Sequence, residues 1–411
     1  MKKLNILFLA LALLLCACAA NPPQSIPQSE PTDDHKQTVA LPCYTPHLYP
    51  DEKSAPPPPT DPREETISAL LSTMSIEEKV GQLFFVRCPT YAQVEKISQY
   101  HLGGYLLFTR DFLGNDSQWL TEEEFLAKIA SYQSAAAIPL LIGVDDEGGS
   151  VVRTSRNPNL FSAKRKAPQT ILKNGGMDAI LQDTLDYNSR LLSLGINVNF
   201  APVADVSVNK DDFIYDRTIG QDAASTAQYI AAVVEQMNRC SINGESRPIG
   251  SVLKHFPGYG NNIDTHTGIA IDNRPYETFV NEDLLPFIAG IEAGAGAVLV
   301  SHNIVTCMDA SLPASLSAQV HRILREELGF DGVILTDDLA MDAVRQYATN
   351  GRAAVLALLA GNSMIVTTDF ETQINEILTA VANGEISEQL IDSAVRYVLR
   401  WKYDLGLLQG E

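Results

Sequence analysis

The chain has 411 residues, 45% hydrophobic and 19% charged, and its Asp and Glu outnumber Lys and Arg 50 to 30, a formal net charge of −20. That length and composition fit one large globular domain with appendages and exclude a disordered or polytopic chain. Nucleic-acid affinity comes largely from Lys and Arg neutralising phosphates, so so acidic a chain is no partner for DNA or RNA, and six scattered cysteines argue against a disulfide scaffold or a Cys-x-x-Cys metal site.

In chain order, the first element is a targeting segment. Met1-Lys2-Lys3 precedes an apolar run from Leu4 to Leu15, followed by Cys16, Ala17 and Cys18. A basic start before about a dozen apolar residues suits a cleaved signal and is short for a membrane span. Leu15-Cys16-Ala17-Cys18 resembles a bacterial lipoprotein box, with small Ala17 directly before the cysteine to be cleaved and lipidated. Residues 1–17 are therefore read as signal peptide and Cys18 as the lipid-bearing residue, which predicts an extracytoplasmic, membrane-anchored bacterial lipoprotein. Cys16 is the poorer choice because bulky Leu15 precedes it, and an ordinary secretory signal is the plainer alternative. From Cys18 to Pro62 the composition turns to Pro, Ser, Gln and Asp, with Pro56 to Pro59 unbroken. Such a segment buries too little apolar surface to offset its ordering entropy, and it reads as an extended, disordered tether (18–62) carrying Cys43.

Residues 63–411 form the expected folded body. Short apolar runs recur there, each followed by a longer amphipathic stretch. The predicted strands are Leu83–Arg87, Gly104–Phe108, Pro139–Val144, Asn197–Pro202, Ser251–Lys254, Ala297–Ser301, Gly332–Thr336 and Ser363–Thr367. Continuous apolar runs, rather than alternation, suit parallel strands covered on both faces. Ala223–Asn238, Ala318–Leu328 and Ala353–Ala360 read as helices between them. Eight such units predict a (β/α)8 TIM-type barrel. A doubly wound open sheet is the rival, weakened because no Gly-x-Gly-x-x-Gly follows the first strand.

A barrel places catalytic side chains just past the carboxyl ends of its strands. Asp145 ends the third predicted strand, Asp205 follows the fourth, Lys254 and His255 end the fifth, His302 follows the sixth, and Asp337 and Asp338 end the seventh. Any one Asp there could be a helix cap; titratable residues at five of eight strand ends make a site. In Lys254-His-Phe-Pro-Gly-Tyr-Gly260 the glycines give a loop that can pass close to a ligand. Asp264 and His266, two apart on that loop, make a carboxylate–imidazole pair suited to acid/base work. Lys254 and His255 are placed to donate to substrate hydroxyls. Either member of the Asp337-Asp338 pair could be a desolvated nucleophile. A metal at Asp337, Asp338 and His302 is the weaker reading, because no recognised metal-binding motif supports it, and no cofactor is expected.

Four stretches carry a resemblance: Gly143-Val-Asp-Asp-Glu-Gly-Gly149 with Arg153, Asn199-Phe-Ala-Pro-Val-Ala-Asp205 with Asp216-Arg217, Lys254–Gly260 with Asp264-Thr265-His266, and Leu335-Thr-Asp-Asp-Leu-Ala-Met341. Together with the opening Ser75–Leu83 segment they resemble family 3 glycoside hydrolases, in the β-N-acetylglucosaminidase branch. The resemblance implies a (β/α)8 barrel, Asp337 as nucleophile, His266 as acid/base with Asp264 as its partner, and sugar-binding roles for Asp145, Arg153, Arg217, Lys254 and His255. It also implies a retaining, exo-acting hydrolysis of a β-GlcNAc-terminated oligosaccharide without a cofactor. Tyr259 stands where the family has His, and Asn261-Asn262 where it has Asp-Thr, departures that bear on the pose of the loop. The competing expectations are a β-glucosidase or xylosidase, whose usual second domain has no room here, a phosphorylase using the same histidine, and a tethered sugar-binding lipoprotein without catalysis.

Overall fold

The computed structural model describes residues 61–262, 268, 270–341, 344, 347 and 352–408. Asp264, His266, Cys16, Cys18 and Cys43 lie outside the described residues. Eight parallel strands, numbered here β1 to β8, form the body: β1 Phe84–Arg87, β2 Gly104–Leu107, β3 Leu141–Val144, β4 Val198–Asn199, β5 Gly250–Phe256, β6 Ala297–Val300, β7 Val333–Thr336 and β8 Ile365–Thr367. Each strand pairs with the next from β1 to β7, and β8 pairs with β1 through Phe84↔Ile365. A bridge from Leu335 in β7 to Met364, just ahead of β8, closes the ring. All eight predicted strands are present, and the barrel is closed rather than an open sheet.

The strands are buried along nearly their whole length because side chains fill the ring from inside while helices cover it outside. In the interior Phe85 of β1 meets Phe200 edge to face, ring centroids 5.1 Å apart. Gly143 in β3 leaves them room: a Cβ there would stand 2.6 Å from the Phe85 ring. Buried Asn197 ties β4 to β3, accepting from the Ile142 N–H at 2.9 Å and donating to the Leu140 carbonyl.

Helices occupy the outside. The first, Pro62–Thr73, starts at Pro62 with Asp61 as its N-cap, and Ile76–Gln82 opens on a reciprocal Ser75–Glu78 capping box. Ala223–Met237 and Ala353–Ala360 appear as expected. The predicted 318–328 helix begins as α over Ala318–Arg322 and widens into a π turn over Ile323–Glu327. Cys88, Cys240 and Cys307 are free thiols. Among the described residues no helix is long and apolar enough to cross a membrane.

Candidate active site

The mouth is built first by an irregularity in β5. Leu253 pairs with Val298 and Phe256 with Val300, so one extra residue of β5 lies between those two registers. A bulge of this kind re-aims side chains beside a site, and here consecutive residues, Lys254 and His255, both reach polar partners. Lys254 Nζ lies 2.7 Å from Asp145 Oδ1 and 2.6 Å from Glu147 Oε1. Arg217 grips Glu147 through two nitrogens, at 2.9 Å and 2.7 Å. Glu147 and Lys254 are nearly sealed, at 1% and 3% side-chain exposure, while Asp145 keeps 18%. Burial disfavours the charge on Glu147, but Arg217 and Lys254 outweigh it and hold the carboxyl far below the usual range. Burial likewise opposes the charge of Lys254, and Asp145 and Glu147 reverse the balance and raise its pKa. Both partners therefore stay ionised, the condition under which a buried pair is worth having.

His255 extends the network. Its Nδ1 lies 2.7 Å from Asp205 Oδ2 and its Nε2 3.0 Å from Arg217 Nη2. A guanidinium has no acceptor, so Nε2 accepts and Nδ1 donates to Asp205. With both nitrogens engaged, His255 positions Arg217. Asp205, fully buried, also accepts from the Tyr259 N–H at 2.7 Å and so pins the loop after β5. Tyr259 packs edge-on against the His255 ring, and Asn262 ties the loop to Asp272 at 2.8 Å. The residues at the two departures from the family pattern thus hold the start of the loop on which Asp264 and His266 follow.

Neighbouring acids divide their work. Asp145 faces the mouth, whereas Asp146 is fully buried and accepts from Thr154, from the Arg153 backbone and from Tyr187 Oη at 2.9 Å; burial pushes its carboxyl up in spite of these bonds. At the end of β7, Asp337 Oδ1 accepts from the Asp338 N–H at 2.8 Å. Asp338 accepts from the Ala340 N–H at 2.9 Å and from Thr368. Burial, with the neighbouring Asp337 carboxylate adding to it, raises the Asp338 carboxyl above its ordinary value. His302 bonds Ser315 Oγ at 2.7 Å and the Asp338 carbonyl at 3.1 Å. Among the described residues no group of three or more His, Cys, Asp or Glu is arranged to hold a metal.

Of the predicted sugar-binding residues, Asp145, Arg217, Lys254 and His255 come together. Arg153 makes no ion pair with them among the described residues, and its guanidinium lies 5.4 Å from the Phe108 ring centroid. Sequence reasoning missed Glu147, the hub of the network. Its signal was a third acid between an apolar strand and Gly148-Gly149, opposite a lysine that the strand pattern buries.

A closed parallel barrel with interlocked polar side chains past the carboxyl ends of β3, β4 and β5, and an Asp pair past β7, is the architecture of a TIM-barrel enzyme. Residues 75–401 match the family described as glycosyl hydrolase family 3 N terminal domain. The chain belongs to that family, and it is a glycosidase. A beta-hexosaminidase of Nitrosomonas eutropha is 30% identical over 298 residues, 71% of this chain and 81% of that one. Beta-hexosaminidase LpqI of Mycobacterium tuberculosis is 28% identical over 405 residues, 96% of this chain and 95% of its own. Among solved structures, a family 3 beta-N-acetylglucosaminidase from Paenibacillus sp. str. FPU-7 superposes with a TM-score of 0.73 at 28% identity, over 82% of this chain. The present chain spans 64% of that longer protein.

Proposed function

We propose that this glycosidase is a retaining, exo-acting β-N-acetylglucosaminidase that removes terminal β-linked GlcNAc from cell-wall or chitin-type oligosaccharides. The observation that carries the reading is the Asp145–Lys254–Glu147–Arg217 network, a polar cluster of buried charge at the strand ends of a barrel whose seventh strand leads into Asp337, in a chain whose full-length relatives are named beta-hexosaminidases. Asp145 and Lys254 hold the hydroxyls of the terminal sugar. Asp337 attacks the anomeric carbon while protonated His266 gives its proton to the departing oxygen, so the glycosidic bond breaks as a glycosyl–Asp337 ester forms. His266, now neutral, takes a proton from water, whose oxygen attacks the same carbon and frees Asp337. Asp264 orients the imidazole and favours its charged form, as a carboxylate does in hydrolase triads.

The test is hydrolysis of aryl β-glycosides of GlcNAc, glucose and xylose, with and without phosphate. The reading expects GlcNAc to be released fastest and the rate to be indifferent to phosphate. Faster glucose or xylose release overturns the specificity, and turnover that requires phosphate makes the protein a phosphorylase. The anchor belongs to the same proposal: Cys18→Ser abolishes lipid labelling, and labelling lost only in Cys16→Ser moves the site.

A further inference from the structure

From Gly148 to Met177 the chain has no Asp or Glu yet carries Arg153, Arg156, Lys164, Arg165, Lys166 and Lys173, against an overall excess of 50 acids over 30 bases. This stretch leaves the site directly after Glu147 and folds back on it. The Arg165 carbonyl accepts from the Gly149 N–H at 3.1 Å, and Arg165 Nη1 donates to the Asp146 carbonyl at 2.6 Å. Arg165 is neutralised by Asp183 at 2.9 Å. None of the other five has a carboxylate at ion-pair distance among the described residues, and Lys164, Lys166 and Lys173 are exposed. Beside Lys164 and Lys166 lies a groove of about 430 Å³, lined also by Phe161, Ile171, Tyr187 and the Arg165–Asp183 pair, with Lys173 on the helix that borders it. The Phe161 and Tyr187 rings stack with centroids 4.7 Å apart. The helix bordering the groove, Pro168–Ser193, is broken at Gly176, whose φ is 67°.

We propose that this groove and its lysines dock an anionic glycopolymer beside the active site. Repeating carboxylates or phosphodiesters meet Lys164, Lys166 and Lys173, and sugar rings rest on the apolar lining around Phe161. Charge complementarity favours this occupant, because a chain at −20 repels a polyanion over most of its surface and leaves this acid-free stretch as the place to receive one. Shape favours a polymer over a bilayer, since a strand enters a groove and a lipid surface spans it. The bond from Arg165 to the Asp146 carbonyl ties the stretch that lines the groove to the residue just before Glu147.

The test does not depend on which sugar is cleaved. Full-length protein is titrated with a polyuronate, a poly(glycerol phosphate), neutral dextran and phosphatidylglycerol vesicles. Wild type binds at least one polyanion, more weakly as salt rises, and does not bind dextran; the polyanion that binds identifies carboxylate or phosphodiester as the source. Lys164→Glu/Lys166→Glu/Lys173→Glu lowers that affinity at least about tenfold, through lost counterion release, while melting and aryl-glycoside turnover stay near wild type. If charge reversal unfolds the protein, Lys164→Gln/Lys166→Gln gives a several-fold loss by the same measurement. Unchanged binding in the variants, no binding to either polyanion, or preference for vesicles overturns the proposal.

Discussion

Lys254 at the mouth of the barrel and Lys402 at its floor are both buried lysines, and the fold treats them in opposite ways. Lys254 lies between Asp145 and Glu147, which raise its pKa against the pull of burial. Lys402 is fully buried on the last helix, Glu388–Asp404, and its Nζ donates to Gln82 Oε1 at 2.6 Å. Gln82 in turn donates to the His101 carbonyl at 2.8 Å. With only neutral partners, burial pushes the Lys402 ammonium down to about 7. The mouth keeps its charges on because a reaction there needs fixed charge. The floor lets its charge switch off because the task there is to staple the last helix beneath β1. Desolvation is common to both sites; a carboxylate within reach makes the difference.

The largest expected effect comes from removing the proposed nucleophile. Asp337→Ala lowers kcat on the order of 10⁴-fold or more, as loss of a nucleophile does, with sugar binding partly retained. A variant with a tenth of the wild-type rate moves the role elsewhere. His266→Ala loses about 10²–10⁴-fold on poor leaving groups and much less on activated phenolates, where departure needs little protonation. The glycosyl-enzyme then accumulates on those substrates, visible as a burst. Rates that fall by the same factor across a series of aryl leaving groups rule out the acid/base role.

The remaining two tests set mouth against floor directly. Glu147→Ala leaves Lys254 and Arg217 without their shared partner, and breaking a buried pair in this way costs about 3–5 kcal/mol. Urea unfolding measures it, and a loss within error of zero denies that the network is held by charge. Lys402→Met has the smallest effect and the clearest pH signature. In the folded state the lysine loses its proton near pH 7, in the unfolded state near its ordinary, higher value. Between these the unfolded chain binds more protons, so stability rises with pH from about 7 upwards and its cost is fully present below 7. The difference in melting temperature between wild type and Lys402→Met, followed from about pH 6 to 10, should shift in favour of wild type over that window, because only wild type gains the rise. Parallel curves mean that Lys402 does not titrate there.

The barrel was legible because parallel strands covered on both faces write themselves as unbroken apolar runs, and all eight runs fall on barrel strands. The strand-end rule then located Asp145, Asp205, Lys254, His255 and Asp337 around one mouth. Periodicity fails where a strand departs from regularity. Lys254 and His255 read as the end of a strand, whereas β5 runs on to Phe256 with an extra residue that turns both inward. Glu147 was hidden because acids beside a glycine pair look like loop and cap residues until the lysine opposite is seen. Lys402 left no signal, since a lysine on an amphipathic helix reads as solvent-facing.

The contact between the first and last helices has a consequence for how this domain can be joined to others. Glu64 is held by Arg400 at 2.6 Å and Arg396 at 3.0 Å, and Arg63 lies 3.3 Å from Asp404. Residues 341 positions apart thus meet beneath the ring. Ends that lie side by side allow circular permutation and insertion into a host chain. A short linker across Asp61 and Leu408, with new ends cut at the exposed Asn243-Gly244 turn, should leave the eight-strand ring and its mouth as they are. In topological terms the domain is already almost a circle, and its chain ends are a choice of where that circle is opened.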